Sequence, residues 1–380
     1  MRKRVLEVVY GFDYGGIRAF IMNCLEHIDR NEFAIDIYAF GTSGSPFKEK
    51  VGELGGNIYF ESENNVRNIP HFVSQLKKIM KDKGPYDVCH AHCNLISAWV
   101  LLAAKICGIP VRIAHSHTCL HFSDSMIQNI YSYFRRFVIR NCATDFLACG
   151  QKAGEEMYGK GNPFVVVNNG IDIENFYHLN NKKLEHLRCS LKIPKDARVY
   201  ANISRLDSNK NHAFIIDVFE KIAEMESNAY LLIGGSDTLI DSSRSVVEQK
   251  ISKSRFQDRI ILIGAQTDMS AIYHLSDCWI YASKFEGLPF GPIELQAACI
   301  PCVASDTITR EIDLGMNLIT FLSLKDSAEK WAKTAMCQCK KEISFHTVNS
   351  AFCEHNFSIK QSVKILEGIY IKHKDENNEG

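Results

Sequence analysis

The chain has 380 residues, enough for about two domains of ordinary size. A composition of 46% hydrophobic and 23% charged residues excludes a disordered or fibrous protein. Basic and acidic residues balance at 44 each, so no global field draws the chain to nucleic acid.

Fourteen cysteines are scattered through apolar segments, as at Cys24, Cys107, Cys142 and Cys278, without the spacing of a disulfide framework. They read as reduced core residues of a cytosolic protein. The N-terminus starts as a signal peptide would, but Glu7 breaks its apolar run and glycines end it early. A first strand is the better reading. No apolar run approaches the ~18–20 residues that span a bilayer, so a cytosolic or peripheral protein is expected.

Residues 5–9 read as a buried parallel strand and 19–28 as an amphipathic helix. Between them Gly11, Gly15 and Gly16 form a glycine loop, which lets a backbone approach a ligand and opens a helix N-terminus. The spacing is not the G-x-G-x-x-G of dinucleotide folds, which argues against a dehydrogenase. Strands over 34–40, 57–60 and 88–91 then alternate with helices near 46–54 and over 69–81. This is the rhythm of a doubly wound α/β sheet, whose ligands sit at the strands' C-terminal ends.

His90 and His92 end one strand, and His115 and His117 end the next, over 111–114. With Cys89 and Cys93 the first pair has the residue types of a zinc site. Alternate strand residues face opposite ways, however, and no second cysteine pair lies nearby, so no metal is expected. His92, His115 and His117 fit better as polar groups lining a cleft between two domains. Residues 127–140 are apolar and basic, with Arg135, Arg136 and Arg140. They read either as a core-packed helix with a solvated basic edge, or as a helix meeting anionic lipid or a phosphorylated acceptor. Strands over 144–149 and 165–167 follow.

A polar, Lys-rich stretch over 180–195 introduces a second βα series. After a strand over 199–203 come Ser204, Arg205 and Lys210, ahead of a helix. An Arg fork and a Lys point charge together suit a diphosphate. Strands over 231–234 and 260–264 end in glycines, Gly235 among them. A strand over 278–282 leads into a loop with Glu286, Gly287, Leu288, Pro289 and Phe290. Pro289 and Pro292 exclude regular helix across that loop, and a helix carrying Glu294 is expected after Pro292, before a strand over 301–304. Such a helix start favours phosphate, whereas carboxylates beside it accept from vicinal hydroxyls. A helical tail over 358–372 ends in a frayed 375–380.

The stretch from Ser283 to Asp306, with Glu286 and Glu294 eight positions apart, resembles the E-x7-E signature of retaining glycosyltransferases of family 4. Arg205-Leu206 with Lys210-Asn211 is similar to that family's pyrophosphate-binding motif. Gly15-Gly16 is similar to its N-terminal glycine pair, and Asn169-Gly170-Ile171-Asp172 to the turn that closes its first domain. The resemblance covers nearly the whole chain, most thinly at 60–70 and beyond 322. Ile17-Arg18 departs from the usual Ala-Glu, and Leu295 and Cys299 from the usual small residues.

What the resemblance implies is a GT-B fold, with two Rossmann-like doubly wound α/β domains facing a cleft. An acceptor-side domain would span 1–172, a nucleotide-sugar domain 173–356, and a tail over 357–380 would cross back onto the first. It implies a retaining, metal-independent hexosyl transfer without a cofactor, from a nucleoside-diphosphate sugar, a UDP-sugar, to a glycan or polyprenyl-linked acceptor. Glu286 would orient donor-sugar hydroxyls, and Arg205 and Lys210 would neutralise the departing diphosphate. His117 would stand near the transferred sugar, with His115 the alternative. Gly15, Gly16, Ser204, Gly235, Gly287, Leu288, Pro289 and Phe290 would complete the donor site, and Glu294 would hold the ribose. His115-Ser116-His117 and Ser305-Asp306-Thr307-Ile308-Thr309 are nearest to the subgroup that builds bacterial surface and capsular polysaccharide. The absence of any Asp-x-Asp motif agrees with chemistry that needs no metal. A nucleotide-sugar 2-epimerase and a non-enzymatic sugar-nucleotide binder are the competing readings.

Overall fold

A computed structural model describes residues 2–13, 15–62, 66, 68–117, 126–236, 243–266 and 268–372. The chain divides into two units, Met1–Ile171 with Asn356–Gly380, and Asp172–His355.

In the first unit β1 (Lys3–Tyr10), β2 (Phe33–Phe40), β3 (Ile58–Glu61), β4 (Val88–Ala91), β5 (Val111–Ser116), β6 (Asp145–Ala148) and β7 (Val165–Val166) form one parallel sheet. Their order is β3-β2-β1-β4-β5-β6-β7. The sheet is flanked by α1 (Gly16–His27), α2 (Lys48–Glu53), α3 (Ile69–Asp82), α4 (Ser97–Ile106), α5 (Met126–Cys142) and α6 (Gln151–Tyr158). Leu6, Val8, Cys89 and Ala91 enter a core with Phe72, Leu76, Trp99 and Leu101 of α3 and α4. Side chains alternate along a strand, so Glu7, His90 and His92 face the other way. The strand order reverses between β1 and β4. That is the switch point at which doubly wound sheets take ligands.

The second unit repeats the plan. It contains β8 (Arg198–Ile203), β9 (Ala229–Gly234), β10 (Ile260–Leu262), β11 (Cys278–Tyr281), β12 (Cys302–Ser305) and β13 (Ile319–Leu322). They lie in the order β10-β9-β8-β11-β12-β13, with the reversal between β8 and β11. Its helices are α7 (Glu174–Tyr177), α8 (Asn181–Ser190), α9 (His212–Met225), α10 (Arg244–Lys253), α11 (Met269–Leu275), α12 (Phe290–Ala297), α13 (Ala328–Met336) and α14 (Phe345–Glu354).

The last helix, α15 (Ile359–Ile371), belongs to the first unit. A parallel bridge joins Ile171 to Ser358, and Ser362 Oγ donates to the Asn168 carbonyl at 3.0 Å. At its far end, Lys3 Nζ donates to the Tyr370 carbonyl at 3.0 Å.

Two segments differ from the sequence reading. The Lys-rich stretch contains α8, capped by the Asn180 side chain accepting from Lys183 N, and the helix buries none of its residues. Its leucines, Leu184 and Leu187, are only partly buried, and so short an apolar pattern carries no period to read. α12 begins at Phe290 rather than after Pro292, with Pro289 as N-cap. Pro292 is tolerated inside it because the first-turn N–H groups have no helical partner to lose. No described helix is long and apolar enough to cross a membrane.

Candidate donor site and a buried histidine cluster

At the switch point of the second sheet, the loop after β8 lies against the end of β9. Ser204 N donates to the Gly234 carbonyl at 2.8 Å, and Leu206 N to the Ser236 carbonyl at 2.9 Å. The approach is too close for a side chain. Gly235 has φ +144°, and a Cβ there would stand 1.8 Å from the Ser204 carbonyl oxygen. Asn209 then stitches this loop to the one after β11. Its Nδ2 donates to the Phe285 carbonyl at 2.9 Å, its Oδ1 accepts from Phe285 N at 3.0 Å, and its carbonyl accepts from Lys284 N at 2.9 Å.

That stitching sets Lys210 against Glu286. Lys210 Nζ and the Glu286 carboxylate form an ion pair whose side chains are only 10% and 16% exposed. The Tyr281 hydroxyl lies 3.4 Å from Lys210 Nζ and 3.5 Å from Glu286 Oε1. Burial, and then the Glu286 charge, pushes the Tyr281 phenol well above its usual range. Asp207 Oδ1 accepts from Lys210 N at 3.1 Å and so fixes the loop. Arg205 differs from Lys210: its side chain is 54% exposed, with the Asp207 carboxylate 3.7 Å away.

Ser204 Oγ donates to Asn202 Oδ1 at 2.7 Å and accepts from His212 Nε2 at 3.1 Å. Burial, and then the nearby Lys210 charge, pushes His212 down to about 4, so the ring is neutral. Its Nδ1 is buried without a hydrogen-bond partner. Leu288 and Pro289 are buried, while Gly287 and Phe290 are partly exposed. Glu294, on α12, takes a hydrogen bond from the Tyr273 hydroxyl.

In the first unit Gly15, at φ +145°, is the N-cap of α1, and Gly16 is the first helical residue. His90, His92, His115 and His117 share one face of β4, β5 and their ends. Contrary to expectation, His92 and His115 do not line an open surface; they are 2% and 1% exposed. They pack in a row because strand alternation sends all four inward under α1 and α15. His90 Nε2 lies 3.1 Å from His115 Nδ1, and His92 Nδ1 lies 2.7 Å from His117 Nε2. The Phe20 ring meets His115 and His117 with centroids 5.1 and 5.3 Å apart. One nitrogen each of His90, His92 and His115 falls within 4.8 Å of the others, close enough to share a cation. Among the described residues no cysteine joins that group; Cys93 Sγ turns to the Val8 carbonyl at 3.2 Å.

Residues 14–175 match the sequence family described as Glycosyltransferase Family 4, and residues 185–313 match Glycosyl transferases group 1. The chain belongs to the family 4 glycosyltransferases. EpsF of Bacillus subtilis strain 168, named as a glycosyltransferase, is 27% identical over 97% of this chain and 96% of its own. An Escherichia coli protein named UDP-Gal:alpha-D-GlcNAc-diphosphoundecaprenol alpha-1,3-galactosyltransferase is 23% identical over 63% of this chain and 62% of its own. HepE of Anabaena, solved with UDP and glucose, superposes with a TM-score of 0.73 at 14% identity, both chains covered in full. A glycosyltransferase of Rickettsia africae ESF-5 superposes at 0.74 with 18% identity, over 98% and 99% of the two chains. The fold of this family 4 glycosyltransferase is GT-B.

Several groups in this glycosyltransferase escape a sequence reading. Tyr281, Asn209 and His212 carry no motif of their own and matter only through the contacts above. Tyr370 reaches its partners from the far end of the chain: its hydroxyl donates to Glu7 Oε1 at 3.1 Å and lies 2.9 Å from His90 Nδ1. Glu7 did leave a signal, a lone charge inside an otherwise apolar strand. A buried carboxylate is retained in a core only with partners to match.

Proposed function

We propose that this glycosyltransferase moves a sugar from a UDP-sugar to a glycan or polyprenyl-linked acceptor, retaining the anomeric configuration and using no metal ion. The Lys210–Glu286 pair beside Arg205, at the switch point of the second sheet, is the observation that carries the donor half. Arg205 and Lys210 meet the diphosphate with a fork and a point charge. Glu286 accepts from donor-sugar hydroxyls, Glu294 from the ribose, and the N-terminus of α12 faces growing negative charge. Gly235 and Ser204 keep the backbone low beneath the nucleotide. In the first unit, Gly15 and Gly16 leave the start of α1 open to substrate.

Cations and a helix end already answer the diphosphate charge, so a divalent ion has no task left to perform. Retention follows if the leaving diphosphate takes the acceptor proton on its own face, since an inverting route would need a side-chain base opposite. The UDP bound to HepE supports a uridine donor, and the diphosphoundecaprenol in the E. coli protein's name supports a lipid-linked acceptor. A role in bacterial surface polysaccharide synthesis accords with such an acceptor. Attachment at the membrane surface is proposed through α5.

The test is a panel of nucleotide sugars incubated with protein alone and then with lipid-linked acceptors, in excess EDTA. Slow release of free sugar, and an α product from an α donor by the anomeric proton coupling, supports the proposal. A β product from an α donor, or turnover restored only by Mg²⁺ or Mn²⁺, overturns the corresponding part. A new nucleotide sugar formed without acceptor would mean an epimerase.

A further inference from the structure

The buried face of the first sheet holds an unbroken chain of polar contacts that ends at His117. Glu7 and His90 are register partners on β1 and β4. Glu7 Oε2 lies 2.6 Å from His92 Nε2, and His92 Nδ1 lies 2.7 Å from His117 Nε2. Glu7, His92 and His117 are 4%, 2% and 7% exposed, so water does not supply alternative partners.

The distances along this chain admit more than one placement of the protons, and the charge state of each group selects among them. Burial alone would raise the Glu7 carboxyl, but its contacts with His90 and His92 outweigh burial and hold it well below the usual carboxylate range. An ionised carboxylate can only accept, so His92 Nε2 donates. Burial, and then His90, pushes His92 down to about 4. A neutral imidazole carries one proton, so His92 Nδ1 is bare and His117 Nε2 must donate to it. His117 is likewise held well below its ordinary value, by burial first and then by His92 and His90. Its single proton is therefore committed to His92. The hydrogen bond to His92 engages only Nε2, so the other ring nitrogen, Nδ1, is the one left for a substrate.

We infer that Glu7 and His92 are positioning residues that lock His117 as the Nε2–H tautomer and present its Nδ1 as an acceptor for a substrate hydroxyl. The logic is that of a carboxylate–histidine pair, extended by one ring. Tyr370 holds the carboxylate from the other side through its 3.1 Å hydrogen bond to Oε1. A ring so fixed has no proton to give at Nδ1; what it offers there is a lone pair, which takes a hydrogen bond from a sugar hydroxyl. The use of His117 rests on the transferase reading above, whereas the tautomer does not.

Two measurements decide it on the full chain. In protein labelled with ¹⁵N-histidine, with His117→Gln and His92→Gln used for assignment, both rings should report a proton on Nε2 and a bare Nδ1. A proton on His117 Nδ1, or a doubly protonated His92, overturns the inference. So does one equivalent of zinc in the purified protein, since the histidine nitrogens would then be ligands. His92→Gln keeps a donor near the Nε2 position for Glu7 but loses the acceptor for His117. It should lower kcat about tenfold or more while leaving the donor KM within about twofold. His92→Asn, whose carbonyl stands near the lost Nδ1, should recover most of that loss. Equal defects in the two variants, or a fall in stability alone, would overturn the positioning role. A wild-type protein without donor turnover would instead defeat the transferase reading and leave the labelled-ring result standing.

Discussion

Lys210 and Glu286, 76 positions apart in the chain, neutralise one another in a site that solvent barely reaches. The pair makes opposite demands on substitution. On the proposed assignment, Lys210→Met removes a phosphate partner and strands a nearly buried carboxylate, so it should cost about 3 kcal/mol of stability as well as donor affinity. Glu286→Gln keeps the shape, removes the charge that accepts from hydroxyls, and frees Lys210 for the diphosphate. It should lower turnover strongly and leave UDP affinity equal or tighter. Calorimetric titration with UDP, beside thermal melts of each variant, checks both; tighter UDP binding by Lys210→Met would contradict the assignment.

Arg205 should behave differently. More than half of its side chain is in water, and its contact with Asp207 spans 3.7 Å. Surface pairs of that kind contribute about 0–1 kcal/mol, so Arg205→Ala should leave the melting temperature nearly unchanged. Loss of the charge-assisted bond to phosphate proposed for it should still weaken UDP binding about tenfold or more. An unchanged affinity in the folded variant removes Arg205 from the site.

These two cations were legible in the sequence because each sits in a loop that directly follows a strand. The strands themselves were legible because sheets buried on both faces read as near-continuous apolar runs. Partnership was not legible. Nothing in the local sequence says that Asn209 ties its loop to Phe285, or that Tyr370 returns to meet Glu7. The four histidines were visible as polar strand ends, and exposure in a cleft was the natural reading. Their burial depends on α1 and α15 covering that face, which only the packing reveals.

Buried neutral histidines make stability depend on pH in a known direction. His92, His115, His117 and His212 all titrate below the ordinary histidine value when folded, with burial the leading cause. The unfolded chain therefore binds more protons as pH falls through about 6.5. Stability should be level above that value and decline from there toward about 4, where His92 and His212 themselves charge. Each group can contribute up to about 1.4 kcal/mol per pH unit in that window. Thermal melts should fall by about 5 °C or more between pH 7.5 and 5.5. A melting temperature flat across that range would mean the rings are already charged, or already open to water.

The last prediction concerns α5. The sequence reading placed Arg135, Arg136 and Arg140 at a solvated or lipid-facing edge; in the structure Arg140 is exposed, while Arg135 and Arg136 are partly buried. Arg136 and Arg140 bond to the carbonyls of Glu156 and Tyr158 at the end of α6. Arg135 lies over the Tyr131 ring, 4.4 Å from its centroid. A stripe of Ile127, Ile130, Phe134 and Phe137 also faces outward, each more than half exposed. Their spacing of three and four puts them on one side of the helix. If this face meets a membrane, it does so by insertion rather than by charge, at about 1.5–3 kcal/mol for each side chain fully buried. Liposome co-sedimentation should therefore persist at about 0.5 M salt, where exposed charges are screened within a few ångströms. Replacing Ile130 and Phe134 together with Ser should weaken it about a hundredfold, with little effect on the melt because neither residue is in the core. Binding abolished by salt would return the arginines to the lipid. Wild-type protein that ignores both anionic and neutral vesicles would leave α5 without a membrane role.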